Sequence, residues 1–235
     1  MISLTCLCLD GTPIKALLEL PPSLQFLHAH DCASLETVTP INIDRSWDAL
    51  YFTNCFKLDQ KPLVAAMHLK IQSGEEIRYD KIRMVLPGSE IPEWFGEKGI
   101  GSSLTIQLPS NCRQLKGIAF CLVFLLPIPS NNDFSLVDVY FENHVKSKNG
   151  ENDEDVLASR KRFSLLHHLV SCGSDHMILH YDPGLGNHFR KYSGNEVTFK
   201  FYHDVDSRRA LALKSWGVYL HFDENLPADK SSEEN

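Results

Sequence analysis

Eleven histidines and seven cysteines are the residues whose spacing first suggests chemistry. Cys172, His176 and His180 stand four apart, with His167-His168 just upstream. On a helix that spacing lines up three metal ligands on one face, a donor set that suits zinc. The neighbouring residues point to strand instead. Gly173 and the alternation through Met177-Ile178-Leu179-His180-Tyr181 place residues four apart far along one face. Surface histidines on a sheet are the expectation, and no metal. His28-x-His30 is read in the same way, as polar positions on the exposed face of a strand. Asp153-Glu154-Asp155 offers carboxylates to a cation and Arg160-Lys161-Arg162 offers cations to a phosphate, but a solvated loop of mixed charge accounts for both.

Enzyme signatures do not assemble. Gly184-Leu185-Gly186 lacks the third glycine and the βαβ setting of a dinucleotide fingerprint. Gly96 to Gly101 has phosphate-loop spacing, but Ser102 stands where the phosphate-binding lysine must be. No Gly-x-Ser-x-Gly elbow occurs. The expectation is a chain with no catalytic residues and no cofactor. A carbohydrate-binding or hydrolytic β-sandwich would need clustered carboxylates or a stacking aromatic platform, and neither stands out.

Composition places these residues in an ordinary globular chain: 235 residues, 43% hydrophobic, 10% aromatic and 23% charged. The net charge of −7 argues against bulk binding to nucleic acid or an anionic membrane. Much of it gathers at the end, where Asp223, Glu224, Asp229, Glu233 and Glu234 face only Lys230. The cysteines are odd in number, scattered and without a Cys-x-x-Cys pair, and no Asn-x-Ser/Thr sequon occurs. Both features favour a reducing interior. The start lacks a basic region, and Asp10 interrupts its apolar stretch. The longest apolar run, Gly117 to Ile128, is shorter than the roughly 20 residues that span a bilayer. An intracellular location, cytoplasmic or nuclear or both, is expected, with no membrane or nucleic-acid partner.

The positioning elements begin with a repeat. Leu4, Leu7, Leu9 and Thr12 recur as Leu24, Leu27, Ala29 and Cys32, each 20 residues later. This fits the leucine-rich-repeat frame, in which each unit lays a short strand beside the next and buries its leucines against it. Such repeats should leave an apolar face at residues 1–9. Trp47, Leu50, Tyr51, Cys55 and Leu58 then fall at helical spacing, as do Leu63, Val64, Met67 and Ile71 after Pro62. From Arg83 strands dominate: Leu104-x-Ile106-x-Leu108, the doubly buried run from Gly117 to Leu126, and alternating runs at 137–141, 177–181, 197–201 and 218–222. The expected fold is mainly β: an antiparallel jelly-roll or immunoglobulin-like β-sandwich preceded by two leucine-rich repeats and a short helical junction. The expected boundaries are repeats at 1–38, junction at 39–80, sandwich at 81–224 and acidic tail at 225–235.

Particular runs carry a resemblance. Leu7-Cys8-Leu9-Asp10-Gly11-Thr12-Pro13-Ile14 and Leu20-Pro21-Pro22-Ser23-Leu24-Gln25-Phe26-Leu27 sit in the repeats, and Phe52-Thr53-Asn54-Cys55-Phe56-Lys57-Leu58 at the junction. The most diagnostic is Leu86-Pro87-Gly88-Ser89-Glu90-Ile91-Pro92-Glu93-Trp94-Phe95. Gly101-Ser102-Ser103, Ile106-Gln107-Leu108-Pro109, Gly117-Ile118-Ala119-Phe120-Cys121, Ser174-Asp175-His176 and Gly217 follow. Over about residues 4–222 the chain resembles the C-terminal part of plant intracellular immune receptors of the Toll/interleukin-1-receptor, nucleotide-binding, leucine-rich-repeat class. It looks like their last repeats and post-repeat C-terminal jelly-roll/immunoglobulin-like domain, C-JID. The resemblance implies family-motif residues with structural roles: Asn54, Cys55, Leu58, Pro87, Gly88, Pro92, Trp94, Phe95, Gly101, Ser103, Gly117, Asp175, His176 and Gly217. Asn54 is expected to tie the junction backbone, and Trp94 and Phe95 to pack in the core. Trp216 departs from the cysteine common before that glycine.

The resemblance further implies a non-enzymatic recognition module. Its partners would be a pathogen effector protein and the rest of a receptor chain or receptor oligomer. The loops at 127–133, 143–162 and 182–195 are expected as contacts. No signalling or nucleotide-binding domain precedes the repeats, so NAD cleavage and ATP/ADP switching are not expected of these residues. A structural cap of the solenoid, or a truncated adaptor or decoy, is the alternative role.

Overall fold

Leu7, Leu27 and Leu50 lie side by side on three parallel strands. The computed structural model describes residues 4–18, 20–21, 23–39, 48–73, 81–101, 103–126, 137–146, 162–169, 172–203, 209–210 and 213–223. Its N-terminal coil runs through β1 (Cys6–Cys8), β2 (Ala16–Leu17), β3 (Phe26–His28), β4 (Thr37–Val38) and β5 (Ala49–Tyr51). β1, β3 and β5 form one parallel ladder, and β2 pairs with β4 in a separate two-stranded sheet. Gly11, Asp31 and Asn54 take positive φ values of 67°, 56° and 63° just beyond the three strands, a conformation open to Gly and tolerated by Asn and Asp. Beside each later turn a thiol reaches back one coil: Cys32 Sγ donates to the Leu9 carbonyl at 3.1 Å and Cys55 Sγ to that of Ala29 at 2.8 Å.

The ladder therefore has a third rung where helical spacing pointed to a helix over Trp47–Leu58. Among the described residues, Ala49–Tyr51 is strand and the following residues turn. Leu50 and Phe52 bury on the leucine side, while Ala49 and Tyr51 bury on the other. A short strand buried on both faces reads as an unbroken apolar run, which periodicity does not separate from helix. The helix expected after Pro62 is α1 (Lys61–Gln72), burying Leu63, Met67 and Ile71 along one stripe.

β6 (Ile82–Pro87) adds to β5 in parallel, aligning Met84 with Leu50. β7 (Glu97–Ile100), β8 (Ser103–Gln107), β9 (Leu115–Leu126), β10 (Val137–Lys146), β11 (Arg162–Leu169) and β12 (Cys172–Asp182) follow. After α2 (Pro183–Phe189) come β13 (Glu196–His203), β14 (Arg209–Ala210) and β15 (Leu213–Phe222). One eight-stranded sheet runs β1-β3-β5-β6-β12-β9-β15-β7, so the repeat ladder continues without a break into the sandwich. A five-stranded sheet, β11-β10-β13-β14 with β8 on β13, supplies the second layer.

The large sheet is buried on both faces. From β9, Ile118, Phe120, Leu122 and Phe124 enter the core between the sheets, while Ala119, Cys121 and Val123 enter a second core under α1 and the 91–95 segment. All seven side chains are fully buried, and burying a large apolar side chain contributes about 1.5–3 kcal/mol. Phe95 covers Gly217: a Cβ there would lie 3.0 Å from the Phe95 Cβ and 2.7 Å from Ile91 Cγ2. Trp94 stacks on His68 of α1 at 4.6 Å and on Phe95 at 4.0 Å, so these aromatic faces are turned toward one another.

The 182–195 stretch holds a helical turn, α2, packed inward through Leu185 and Phe189, with Asn187, Arg190 and Lys191 left exposed. Asp182 Oδ1 accepts the Gly184 N–H at 2.8 Å, Pro183 fills the first turn, and Leu185 and Phe189 are fully buried. Of 143–162, residues 143–146 end β10 and Arg162 opens β11. The stretch between, and the 127–133 loop, lie outside the described residues, as do His167-His168 side chains, Asp153-Glu154-Asp155, Arg160-Lys161, Ser102 and the 225–235 tail.

Trp216 has a partner that explains it. It lies across from Gly99 on the edge strand β7, and a Cβ on Gly99 would overlap its ring, reaching Cε2 at 2.6 Å. An aromatic ring laid over a glycine covers backbone that would otherwise face water. Gly99→Ala is expected to destabilise the chain by about 1–3 kcal/mol and far less in a Trp216→Cys background. Urea unfolding of the four variants in a double-mutant cycle reads that coupling.

Candidate functional site

On the strand face opposite the leucines, equivalent positions of successive coils form rows. Cys8, His28, Tyr51 and Val85 make one row by register, and Asp10, His30, Thr53 and Pro87 stand at the next outward-facing position. His176 pairs with Pro87 from β12 and extends the second row into the sandwich. Three coils and one sandwich strand thus place Asp10, His28, His30, Tyr51, Thr53 and His176 on one continuous face.

The face is tied by short polar contacts. The His30 N–H donates to Asp10 Oδ1 at 2.8 Å, and Asn54 Nδ2 donates to Asp31 Oδ1 at 2.7 Å. The Asn54 backbone N–H donates to His176 Nε2 at 2.9 Å. His176 Nδ1 lies 2.9 Å from the Ser174 carbonyl and so carries the ring hydrogen. His28 stacks on Tyr51 at 4.7 Å, and His30 packs against the same ring at 5.7 Å. Phe56, 63% exposed, stands edge-on to His176 at 5.9 Å. Asp175 pairs with Lys214 and offers its carbonyl to the Gly88 N–H.

The histidines correct the surface reading. His30 is 4% exposed, and His176 and His180 are fully buried. Burial holds the imidazoles of His30 and His176 below their ordinary range, and does the same to half-buried His68. The sign for stability follows. The unfolded chain binds more protons as pH falls through 6.5, so these groups contribute fully above that pH and progressively less below it. Protonated His176 would also set an N–H against the Asn54 N–H. Asp182 acts oppositely, because burial raises its carboxyl above the ordinary carboxylate range, so that stability falls as it loses its proton. The melting temperature is expected to drop between pH 7.5 and 5.5, with a shallower slope in His176→Gln, measured by circular dichroism at constant ionic strength.

The family-motif residues fall into two groups. Asn54, Pro87, Gly88, Asp175 and His176 meet at the junction, with Cys55 and Leu58 buried behind the Asn54 turn. Gly88 has φ 114° beside Gln60, whose Nε2 donates to the Pro87 carbonyl at 2.6 Å. Pro92, Trp94, Phe95 and Gly217 close the core under α1, and Gly117 lies beneath the Tyr181 ring. Gly101, φ 99°, turns the chain into β8 at Ser103. Asp10, Asp31, Tyr51 and Phe56 join the site although sequence reading did not single them out. For Asp10, Asp31 and Tyr51 the signal was positional, the spacing of 20 and then 23 residues between coils.

Burial pushes the Cys55 thiol up to about 12 and raises Cys121 further. Among the described residues no group of three or more His, Cys, Asp or Glu is placed to hold a metal ion. No described helix is long and apolar enough to cross a membrane.

The chain belongs to the C-JID domain family, whose model matches residues 86–226. C-JID is a non-catalytic post-repeat domain, and the chain is similar to the C-terminal region of plant disease resistance proteins of the Toll/interleukin-1-receptor, nucleotide-binding, leucine-rich-repeat class. From Arabidopsis thaliana, Disease resistance protein RPP2B is 30% identical over 193 residues, covering 72% of this chain and 16% of its own length. Disease resistance protein RPS4B is 33% identical over 126 residues, covering 46% and 11%, and Disease resistance protein RML1B is 38% identical over 111 residues, covering 47% and 10%. The chain thus spans only about a tenth to a sixth of the relatives it matches.

Proposed function

We propose that this immune-receptor module senses a pathogen effector protein, holding it against the outward face of the repeat ladder and the adjoining sandwich loops. The reading rests on one observation above all: exposed Asp10, Asp31 and Phe56 and half-buried His28 stand on a sheet that runs unbroken into the sandwich. A rigid sheet that presents polar and aromatic side chains suits protein recognition, because little ordering entropy is lost on contact. The module would work joined to the rest of a receptor chain inside the plant cell, in cytoplasm or nucleus, and effector contact would favour the receptor oligomer.

The same unbroken sheet supports a second role, capping the solenoid, since β6 covers the backbone edge of β5. One experiment separates them. A receptor carrying this module is co-expressed in leaf tissue with a panel of pathogen effectors, and cell death is scored. Loss of one effector response in Phe56→Ala and His28→Ala, at unchanged receptor level, is expected of sensing. Unchanged responses from well-folded variants would leave only the cap.

A further inference from the structure

Asp10 and Asp31 are both exposed, and among the described residues neither has an ion pair. Neighbouring Asp175 is already matched by Lys214. Asp10 uses Oδ1 for the His30 N–H and Oδ2 for the Cys8 thiol, at 3.1 Å, and each oxygen keeps a further acceptor site. Asp31 commits Oδ1 to Asn54. His30 links the two, bonded to Asp10 through its backbone N–H and preceding Asp31 in sequence; its ring lies 5.8 Å from that of His28, which stacks on Tyr51 in the preceding row.

A second observation is independent of the carboxylates. His30 Nδ1 and Thr53 Oγ1, on residues 4% and 0% exposed, have no hydrogen-bond partner among the described residues. They occupy neighbouring positions of the row that starts at Asp10. Both can accept hydrogen bonds: the hydroxyl oxygen always, and Nδ1 when the ring hydrogen is on Nε2. Burial holds the His30 and His176 imidazoles below their ordinary range, and among the described residues no ion pair with a lysine or arginine engages either carboxylate.

Two carboxylates, two unused acceptors and flat aromatic faces describe a seat for a planar, many-donor cation. We infer that the Asp10–Asp31 face receives an arginine side chain of the partner protein, its guanidinium set against the carboxylates beside the His28–Tyr51 stack. The inference rests on the sensing reading and names the partner's chemistry. A lysine ammonium matches the charge but lacks the planar fork and the stacking face. Salt weakens such a contact, because both carboxylates are exposed.

The test uses the full chain and three blocked tetrapeptides, of arginine, lysine and glutamate, titrated at low and physiological salt while the histidine ring signals are followed by NMR. The expected result is binding in the order arginine, lysine, glutamate, with the His28 and His30 signals moving. Asp10→Asn with Asp31→Asn is expected to weaken the arginine peptide roughly five- to tenfold. Asparagine keeps each acceptor oxygen and tolerates the positive φ at 31, so folding is preserved. Glu93→Gln with Glu97→Gln, exposed on another part of the surface, is the control and should change nothing. Absent binding, equal arginine and lysine affinity, or equal loss in the control would overturn the inference. The double asparagine variant is also scored in leaf tissue. Lost response without arginine binding would sink the arginine seat but keep sensing, and arginine binding with unchanged responses would do the reverse.

Discussion

Phe120→Ala is expected to lower the unfolding free energy by about 3–5 kcal/mol, the usual cost of emptying a large aromatic site in a core. Phe120 is fully buried at the centre of the large sheet, with ring centroids 5.1 Å from Phe199, 5.5 Å from Phe141 and 5.9 Å from Phe201. Those three partners come from the opposite sheet, so the deletion opens a void between layers that two hydrogen-bonded sheets cannot close by small shifts. Against a typical stability of about 5–15 kcal/mol the loss is a large fraction. Urea unfolding of the whole chain measures it. Phe56→Ala, at an exposed ring, should stay within about 0.5 kcal/mol. A Phe120 loss below about 1 kcal/mol would contradict the packing of the two sheets.

Gly186→Ala is the second large effect, expected at about 3 kcal/mol or more, at the upper end of overpacking costs. A Cβ on Gly186 would overlap the Lys116 carbonyl carbon and lie 2.7 Å from the Leu115 carbonyl oxygen. Both obstacles are backbone of β9, so relief requires α2 to lift away. Lifting it would pull Leu185 and Phe189 from the core and break the Arg190 contact to the Leu115 carbonyl, 3.0 Å. Gly184→Ala in the same helix is the comparison. Its Cβ would meet only the Asp182 side chain, at 3.0 Å, and that carboxylate can turn. Thermal unfolding of the two variants should differ widely, and similar midpoints would show that α2 does not seat on β9.

The contrast between these glycines shows where sequence reading stops. Gly184-Leu185-Gly186 is locally just a pair of flexible residues. Only the approach of β9 from 70 positions away makes the second indispensable. Trp216 is similar, since its size looks anomalous until Gly99 is found across the edge pair. The histidines erred for the same reason. Alternation placed His176 and His180 correctly on a strand, but burial depends on which layer covers that strand, and the covering sheet is assembled from β8, β10 and β13.

Local patterning alone determined that this protein is mainly β, that Leu7 and Leu27 open a repeat, that residues after Pro62 form a helix and that Ile118–Phe124, within the apolar run from Gly117, is buried on both faces. Each is a matter of hydrophobic period and turn chemistry, which act over a few residues. The tertiary structure decided the third rung at Leu50, the fusion of repeat and sandwich into one sheet, and the meeting of Asp10, His30, Asn54 and His176. Those outcomes depend on strand register between segments separated by 20 to 122 residues. No local period encodes such pairing, because it is chosen by the joint burial of both faces of the sheet.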